Sequence, residues 1–284
     1  MIDLKEYDDA TLKKLQSVEL EILKDFMSLC DRHGLQYFGI AGTGIGVLRH
    51  GGFIPWDDDI DVALPRKDYE QFIKYANEEY ADKYTIMNVE YDENYPLMTT
   101  RMMMKGTKFR EYALAHINVE LGIFLDIYPF DNLSDDPKKR KKQMHDAWFY
   151  SKLLILRSIP KPVLAFKGWK AVIVHFICAI VHYLMAILHI SKRWLAFKCK
   201  EASIRHNEET NSEYIDFLCD TTPEMNIYKR SDVFPLVKKD FENTRLYFPN
   251  NMDSNLRGMY GDYMQMPPVE KRKNHFPYEL EFKD

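Results

Sequence analysis

The chain of 284 residues is long enough for one large domain or two small ones. Hydrophobic residues make up 46% and charged residues 29% of it, which excludes disordered and low-complexity proteins. The formal net charge of −4 argues against a nucleic-acid partner held by a general positive field. The four cysteines form no C-x-x-C pair, so zinc ribbons and thioredoxin-like proteins are excluded. Because the N-terminal residues contain no apolar signal segment, we expect a reduced, cytoplasmic protein.

The N-terminal part of the chain predicts a helix, a buried strand and a second, short helix. Apolar residues recur every three or four positions over residues 10–33, and Gly34 follows as a C-terminal cap. Residues 35–41 predict a buried strand. This strand runs into a glycine-containing turn that opens a short helix over residues 42–48.

Strands and helices continue to alternate further along the chain. Residues 57–64 predict a second strand, and residues 65–76 predict a helix that begins with a proline. A weakly alternating stretch at 95–110 contains Lys-Gly-Thr and predicts a hairpin. Residues 122–129 predict a short strand that ends at Pro129. The mixture favours an α/β or α+β fold over a helical bundle or a β-sandwich.

The middle of the chain contains a long apolar segment. Residues 171–191 lack Asp, Glu, Lys and Arg, and 17 of these 21 residues are apolar, which is long enough to cross a bilayer. Its three histidines are spaced by seven residues and line one helical face, which suits an interfacial helix or a core helix better than a full span. The preceding basic run at 138–142 is either a solvated helix face or a membrane contact.

Half of the 12 glycines lie between residues 39 and 52, so we expect the backbone there to approach another group closely. Gly42 and Thr43 lie at the strand-to-helix turn, where backbone amides and the helix dipole favour a phosphate group. Arg49 and His50 follow one to two turns later and add basic groups. The segment lacks Gly-Lys-Ser/Thr and is therefore not a Walker A loop.

Carboxylates occupy alternate positions of the predicted second strand, at Asp57, Asp59 and Asp61. Residues two apart share a strand face, so their mutual repulsion favours a bound cation. Oxygen ligands select Mg²⁺ or Mn²⁺ over zinc. Asp126 lies alone in an apolar strand and is the candidate further ligand or base. The alternatives are an exposed acidic edge strand for the first three and a turn cap near Pro129 for Asp126.

These motifs resemble the LicD family of phosphotransferases, which is similar to fukutin and fukutin-related protein. Residues 37–61 contain Gly-Thr, Arg-His and Ile-Pro-Trp-Asp-Asp-Asp-Ile-Asp. A later Asp-Ile-Tyr-Pro and a C-terminal Tyr-Gly-Asp-Tyr-Met-Gln-Met-Pro-Pro complete the pattern. The chain departs from it at Gly44, Gly46 and Tyr128, and the resemblance is weak over residues 150–210.

The resemblance implies an α+β fold, with a nucleotidyltransferase-like mixed β-sheet core flanked by helices. It divides the chain into a catalytic core at 1–135, a helical insertion at 136–210 that is a candidate for membrane contact, and a segment at 211–284 that completes the active site. It also implies the transfer of a phospho-alcohol group, phosphocholine above all, from a CDP-linked donor to a glycan. The glycan would be a lipopolysaccharide, a teichoic acid precursor or another lipid-linked acceptor.

The resemblance also assigns roles to individual residues in a Mg²⁺-dependent reaction (Mn²⁺ is the alternative) that releases CMP. Asp59, Asp61 and Asp126 would act in catalysis and hold the metal, with Asp57 in support. The residues expected to contact the donor are Gly42, Thr43, Arg49, His50, Trp56 and His275. Trp56, Tyr260 and Tyr263 are available for a choline group, and the sequence does not choose among them.

A lipid-linked acceptor would place the protein peripherally at the inner face of the cell membrane. Two other interpretations stay open. One is a nucleotidyltransferase that attacks an α-phosphate and releases pyrophosphate. The other is an inactive, membrane-associated scaffold of the same fold.

Overall fold

Helices and strands alternate through the first half of the chain, and helices dominate the middle. The computed structural model describes residues 7–164, 166–225, 227–272 and 274–283. The helices in these ranges are α1 (Asp9–His33), α2 (Ala41–Arg49), α3 (Arg66–Glu79), α4 (Pro137–Ser158), α5 (Trp169–Ile187), α6 (Lys192–Ser203), α7 (Arg230–Val233) and α8 (Met252–Tyr260). The strands are β1 (Phe38–Gly39), β2 (Asp61–Pro65), β3 (Tyr84–Met87), β4 (Thr100–Met104), β5 (Lys108–Glu111), β6 (Phe124–Leu133), β7 (Tyr214–Asp216), β8 (Tyr228–Lys229), β9 (Val237–Phe241), β10 (Thr244–Phe248) and β11 (Pro277–Glu281). The predicted α+β class is confirmed.

The main sheet is mixed and has the strand order β1-β2-β6-β4-β3, with β7 paired to the far end of β6 and β8 paired to β7. Strands β2 and β6 run parallel, whereas the other pairs are antiparallel. In the parallel pair, Asp61 is the register partner of Asp126. Neighbouring strands lie about 4.8 Å apart, so the fold brings these two acids together from distant parts of the chain.

Helix α1 covers one face of this sheet and supplies much of the core. Asp8 caps its start by accepting a hydrogen bond from the Thr11 amide, and Gly34 caps its end with a left-handed φ of 66°. The Phe26 ring packs 4.9 Å from Phe72 of α3, and both side chains are fully buried. The predicted helix and its glycine cap are confirmed.

The predicted strand at 57–64 is wrong in its first half, because β2 begins only at Asp61. The preceding residues turn, and the Asp57 amide donates to the Ile54 carbonyl at 2.9 Å. Asp58 breaks the expected alternation because its side chain points inward and is completely buried. The strand predicted at 35–41 is likewise reduced to Phe38–Gly39.

Pro129 does not end its strand as predicted, since β6 continues to Leu133. Strand β4 pairs with β6 up to Ile127, and β7 pairs with it from Asp131 onward. Pro129 therefore lies between two partners on that side of the strand. Its missing amide hydrogen costs no hydrogen bond there.

The hairpin predicted at 95–110 is also wrong. A turn at Gly106, with φ of 81°, does separate β4 from β5. However, β4 pairs with β3 and β6, whereas β5 pairs with β11 from the C-terminal end of the chain. The turn therefore redirects the chain out of the main sheet.

Helix α5 packs on α4 through the histidine face that the sequence predicts. His175 and His182 form ring-nitrogen hydrogen bonds with the carbonyls of Pro162 and Leu156, at 2.9 and 2.8 Å. The other faces of α5 expose many large apolar side chains, among them Phe176, Ile177, Ile180 and Leu184. Within the described ranges, α5 is the one helix whose length and apolar composition would allow it to cross a membrane.

Candidate active site

A cavity of about 340 Å³ lies beside the start of β2 and is strongly acidic. Six carboxylates line it: Asp59, Asp61, Glu111, Asp126, Asp216 and Asp220. The basic residues lining it are Arg101 and His275. So many carboxylates in one partly enclosed space repel one another, and the arrangement favours bound cations.

The cavity lining contains two groups of residues that differ in chemical character. We call Asp59, Asp61 and Asp126 the carboxylate wall. We call Tyr128, Asp216, Phe217, Tyr228 and Tyr260 the aromatic wall. The two walls share one space, so a single ligand can touch both.

Asp61 is fixed through its backbone and leaves its carboxylate available. Its amide donates to the Thr43 hydroxyl at 2.9 Å, and its carbonyl accepts from the Ile40 amide at 3.1 Å. The side-chain Oδ1 atom is buried and has no hydrogen-bond partner among the described residues. Burial, followed by the charges of Asp59 and Asp126, raises the pKa of Asp61 well above its usual range. A buried oxygen that has no hydrogen-bond partner and lies beside other acids is suited to bind a cation.

Asp126 is held by a buried arginine rather than by a turn. The Arg101 Nε and Nη2 atoms lie 3.0 and 3.4 Å from its two oxygens, and Arg101 Nη1 donates to Glu111 at 2.7 Å. The turn-cap interpretation is therefore wrong. Burial raises the pKa of Asp126, and Arg101 opposes that shift. Sequence reasoning missed Arg101, although a lone arginine in the apolar strand β4 is a visible signal.

Asp58, Asp59 and His275 form a possible metal-binding cluster, with their ligand atoms all within 4.8 Å of one another. The His275 Nδ1 atom lies 3.1 Å from Asp59 Oδ2, and the His275 amide donates to Asp58 Oδ1 at 2.7 Å. The Tyr7 hydroxyl donates to the other Asp58 oxygen at 2.7 Å. The negative charge of Asp59 raises the pKa of His275 well above its usual range, against the opposing effect of burial. Sequence reasoning did not select Asp58.

The glycine cluster does allow close approach, as predicted, but mainly to the protein's own groups. A Cβ atom at Gly42 would lie 3.0 Å from Asp57 Oδ2, and one at Gly46 would collide with the Gly52 carbonyl. Asp57 thus lies beside the start of α2, and burial and its acidic neighbours Asp59 and Asp58 raise its pKa. The residue before Gly42, Ala41, lines the cavity with a left-handed φ of 47°.

Arg49, His50 and Trp56 lie outside the cavity lining and secure the C-terminal segment instead. Arg49 Nη1 donates to the Tyr263 carbonyl at 2.6 Å, and Arg49 Nε donates to His50 Nε2 at 2.9 Å. The Trp56 ring is covered by the guanidinium groups of Arg272 and Arg49, at 4.3 and 5.9 Å from its centroid. Donor contacts of these three residues, and of Gly42 and Thr43, stay predictions.

The aromatic wall contains residues that sequence reasoning missed, namely Asp216, Phe217 and Tyr228. Of the two C-terminal tyrosines considered for a choline group, Tyr260 lines the cavity. Tyr263 is buried elsewhere and donates its hydroxyl hydrogen to Asp253 at 2.8 Å. The available signal was the short segment Tyr-Ile-Asp-Phe, in which an acid follows an apolar residue in a strand.

An α+β fold with carboxylates on two adjacent central strands beside an acidic cavity is typical of nucleotidyltransferase-fold domains. Residues 34–161 match the sequence profile of the family described as "LicD/FKTN/FKRP, nucleotidyltransferase domain". This part of the chain is similar to the proteins of that family. The resemblance to LicD proteins is thereby confirmed.

Three relatives show how far the similarity extends. Over 273 residues, the chain is 29% identical to the "Lipopolysaccharide cholinephosphotransferase LicD" of Haemophilus influenzae, which covers 93% of this chain and 96% of that protein. An uncharacterized protein of Rickettsia typhi is 35% identical over 52 residues, or 18% of this chain and 17% of its own. An uncharacterized protein of Rickettsia prowazekii is 35% identical over 48 residues, or 17% and 18%.

Proposed function

We propose that the protein transfers phosphocholine from CDP-choline to a cell-surface glycan, with release of CMP. Similarity to the Haemophilus cholinephosphotransferase along nearly the whole of both chains carries the proposal. The acidic cavity supports it, because a donor with an anionic diphosphate and a cationic headgroup needs both a bound metal ion and a negative surface. The three-part division of the chain at residues 135 and 210 stays part of the proposal.

Asp59 and Asp61 are the proposed ligands of a divalent cation, with Asp126 and Asp57 beside them. The orphaned, buried Oδ1 atom of Asp61 and the excess of acids in the cavity fit this assignment. Asp58 and His275 offer an adjoining ligand set. A Mg²⁺ or Mn²⁺ ion bound there would neutralise the donor diphosphate and stabilise charge on the transferred phosphoryl group.

The neighbouring side chains would keep these acids in place during the reaction. Arg101 holds Asp126 in one orientation through two contacts, and Thr43 fixes the backbone of Asp61. The glycan hydroxyl must lose a proton as it attacks phosphorus. Asp126 is the proposed acceptor of that proton, since it lies in the cavity and burial raises its pKa above the usual range.

A second cavity of about 210 Å³ supports an entry route for the acceptor. It shares five lining residues with the first cavity: Leu97, Asp126, Tyr128, Phe217 and Asp220. In-line transfer requires the attacking hydroxyl and the departing CMP to lie on opposite sides of the phosphorus atom. The two cavities that share Asp126 are the proposed sites for these two groups.

The leaving group decides between the proposed reaction and its main rival. We would incubate the protein with CDP-choline, Mg²⁺ and a lipopolysaccharide or teichoic acid acceptor, and follow phosphorus-containing products by ³¹P NMR. Release of CMP together with a choline-labelled glycan supports the proposal. Pyrophosphate released from CTP in a parallel reaction favours a nucleotidyltransferase. Failure to form either product, with Mg²⁺ or Mn²⁺, favours an inactive scaffold.

We further propose that α5 lies in the cytoplasmic surface of the membrane, where a lipid-linked acceptor is found. The histidine face of α5 is occupied by contacts with the end of α4. Its other apolar faces are exposed, with Phe176 67% and Ile187 70% accessible. Large exposed apolar surfaces of this kind mark interaction sites, and a surface-lying helix needs only one such side.

Replacing Ile177, Ile180 and Leu184 with Ser should lower partitioning into anionic vesicles by about 10³-fold or more, because burial of each such side chain contributes roughly 1.5–3 kcal/mol. Turnover with a soluble acceptor should be unchanged. Co-sedimentation with phosphatidylglycerol vesicles measures the partitioning, and Phe197→Ser on α6 is the matched control for an exposed apolar residue. A full span is indicated instead if residues on the two sides of α5 are cleaved by protease from opposite faces of sealed vesicles.

A further inference from the structure

Asp216, in the aromatic wall, is a buried carboxylate with no counter-charge among the residues that the structure describes. Its side chain is 0% exposed, and both of its oxygens lack hydrogen-bond partners within the described ranges. Burial raises the pKa of Asp216. The amide of Phe217 lies near enough to oppose this rise, but it does not form a hydrogen bond with the carboxylate. An unpaired buried carboxylate costs several kcal/mol, so a fold that keeps one has a use for the charge.

The register partner of Asp216 is a second buried acid, and its carboxylate has a full set of hydrogen-bond partners. Asp131 lies opposite Asp216 across the β6–β7 pair. Its oxygens accept two hydrogen bonds from Arg66, at 2.8 and 2.6 Å, and a third from Asn207 at 2.7 Å. Asp216 instead lines the cavity, where a ligand can approach it. The missing counter-charge is therefore expected from the ligand.

The surroundings of Asp216 select the chemical type of that cation. Four aromatic residues line the neighbouring surface, namely Tyr128, Phe217, Tyr228 and Tyr260, and the Tyr128 and Phe217 rings meet edge to face at 5.1 Å. The other acid near Asp216 in this lining is Asp220. A divalent metal ion needs several oxygen or nitrogen ligands, which rings do not supply. A quaternary ammonium group donates no hydrogen bonds, and both aromatic rings and a carboxylate attract it.

We propose that Asp216, together with Tyr128, Phe217, Tyr228 and Tyr260, forms a subsite for a quaternary ammonium group. The inference rests on the proposed function, because it makes this group the choline end of the donor. The donor diphosphate then faces the carboxylate wall, and its headgroup faces the aromatic wall of the same cavity. The subsite would decide which phospho-alcohol is transferred.

Binding of small headgroup probes tests the subsite without any turnover. Isothermal titration with phosphocholine, phosphoethanolamine and glycerol 3-phosphate should show that the wild-type protein prefers phosphocholine over glycerol 3-phosphate by about 10-fold or more. Asp216→Asn keeps the side-chain shape and should reduce this preference to less than about 3-fold. It should leave the affinity for CMP and for Mn²⁺ unchanged. Asp240→Asn, in an exposed strand, is the control.

A second variant keeps the test independent of how Asp216→Asn folds. Tyr260 is 46% exposed at the end of α8, so Tyr260→Leu should fold normally. Loss of one ring from the subsite should weaken phosphocholine binding by about 3- to 10-fold and leave glycerol 3-phosphate binding unchanged. The inference is overturned if the wild-type protein does not distinguish the two probes, or if Asp216→Asn retains the preference or loses Mn²⁺ binding.

The two proposals fail in different ways. If the protein prefers phosphocholine through Asp216 but forms no CMP from CDP-choline, the subsite is supported and the proposed reaction is wrong. If the protein forms CMP and its Asp216→Asn variant still prefers phosphocholine, the reaction is supported and the subsite is wrong.

Discussion

The two walls of the cavity satisfy their negative charges differently. On the carboxylate wall, Asp126 is paired with Arg101 and Asp59 with His275, so the protein itself supplies part of the counter-charge. On the aromatic wall, Asp216 is completely buried and has no hydrogen-bond partner among the described residues. The first arrangement fixes acids in position for a metal ion and a reacting phosphate. The second leaves a charge for a ligand to neutralise, which is a means of recognition.

The walls also differ in how the chain builds them. The two acids of the carboxylate wall that lie on strands, Asp61 and Asp126, are in register on the adjacent central strands β2 and β6. The aromatic wall combines β6 with the short strands β7 and β8 and with the end of α8. Contacts between Arg49 and the Tyr263 carbonyl hold the segment after α8 against α2. Changes in the first wall should therefore affect chemistry with every donor, and changes in the second should affect the choice of donor.

Asp61→Asn should have the largest effect of the variants considered. Loss of a metal ligand removes several kcal/mol of transition-state stabilisation, so turnover should fall by about 10³-fold or more. The loss should be equal for CDP-choline and CDP-ethanolamine, because Asp61 belongs to the carboxylate wall. Steady-state kinetics with both donors and calorimetry with Mg²⁺ measure the effect.

The thermal stability of the same variant separates chemistry from folding. Asp61 Oδ1 is buried without a described partner, so removing the charge should leave the melting temperature unchanged or raise it. Asp240→Asn should match the wild-type protein in both assays. Full activity in Asp61→Asn would show that the metal assignment is wrong.

Asp126→Asn should lower turnover by about 10²-fold and should also destabilise the fold, because Arg101 is buried and loses a charged partner. Kinetics and urea unfolding on one preparation measure both effects. Glu111→Gln is the matched control, since Glu111 accepts a hydrogen bond from the same guanidinium at 2.7 Å. It should destabilise the fold similarly and lower turnover less. If both variants lose stability and neither loses turnover, Asp126 has a structural role only.

Much of the fold could be predicted from the sequence because the signals are local. The period of apolar residues and Gly34 define α1, and the Asp-Asp-Pro signal places the start of α4, where Asp136 caps the amides of Lys138 and Lys139. The strand at 57–64 failed because Asp58 is buried through contacts with Tyr7 and with His275, more than two hundred positions away. The two-residue alternation of side chains along a strand depends on neighbouring residues alone, so it cannot predict burial that a distant partner causes.

The candidate site likewise contains residues with a local sequence signal and residues whose partners only the fold reveals. Asp61 and Asp126 could be selected because acids between apolar residues are conspicuous in a sequence, and Asp59 because it alternates with Asp57 and Asp61. Arg49 and Trp56 look like donor ligands in the motif, yet their partners in the fold are Tyr263 and Arg272. Most of the aromatic wall was missed because its members come from four separate elements. Tyr260 was a candidate for a choline group, and Tyr-Ile-Asp-Phe is the one local signal for Asp216 and Phe217.

The pH dependence of stability gives the smallest and most specific difference between the walls. Burial raises the pKa of Asp216 well above its ordinary value of 3.8. Below that value, the carboxyl is protonated in both the folded and the unfolded chain and costs nothing. As the pH rises, the unfolded chain loses this proton first, so the free energy of unfolding of the wild-type protein falls by up to about 1.4 kcal/mol per pH unit until the raised pKa is passed.

Asp216→Asn lacks this titration, so its stability relative to the wild-type protein should increase as the pH rises above about 4. Urea unfolding at several pH values measures the difference, and Asp240→Asn should show a flat profile. Phosphocholine at about 100 times its dissociation constant should stabilise the wild-type protein by about 2.7 kcal/mol, because the ligand binds only the folded chain. The same concentration should stabilise Asp216→Asn much less. A difference that does not change with pH would show that Asp216 has found a counter-charge within the protein, and the contrast between the two walls would then disappear.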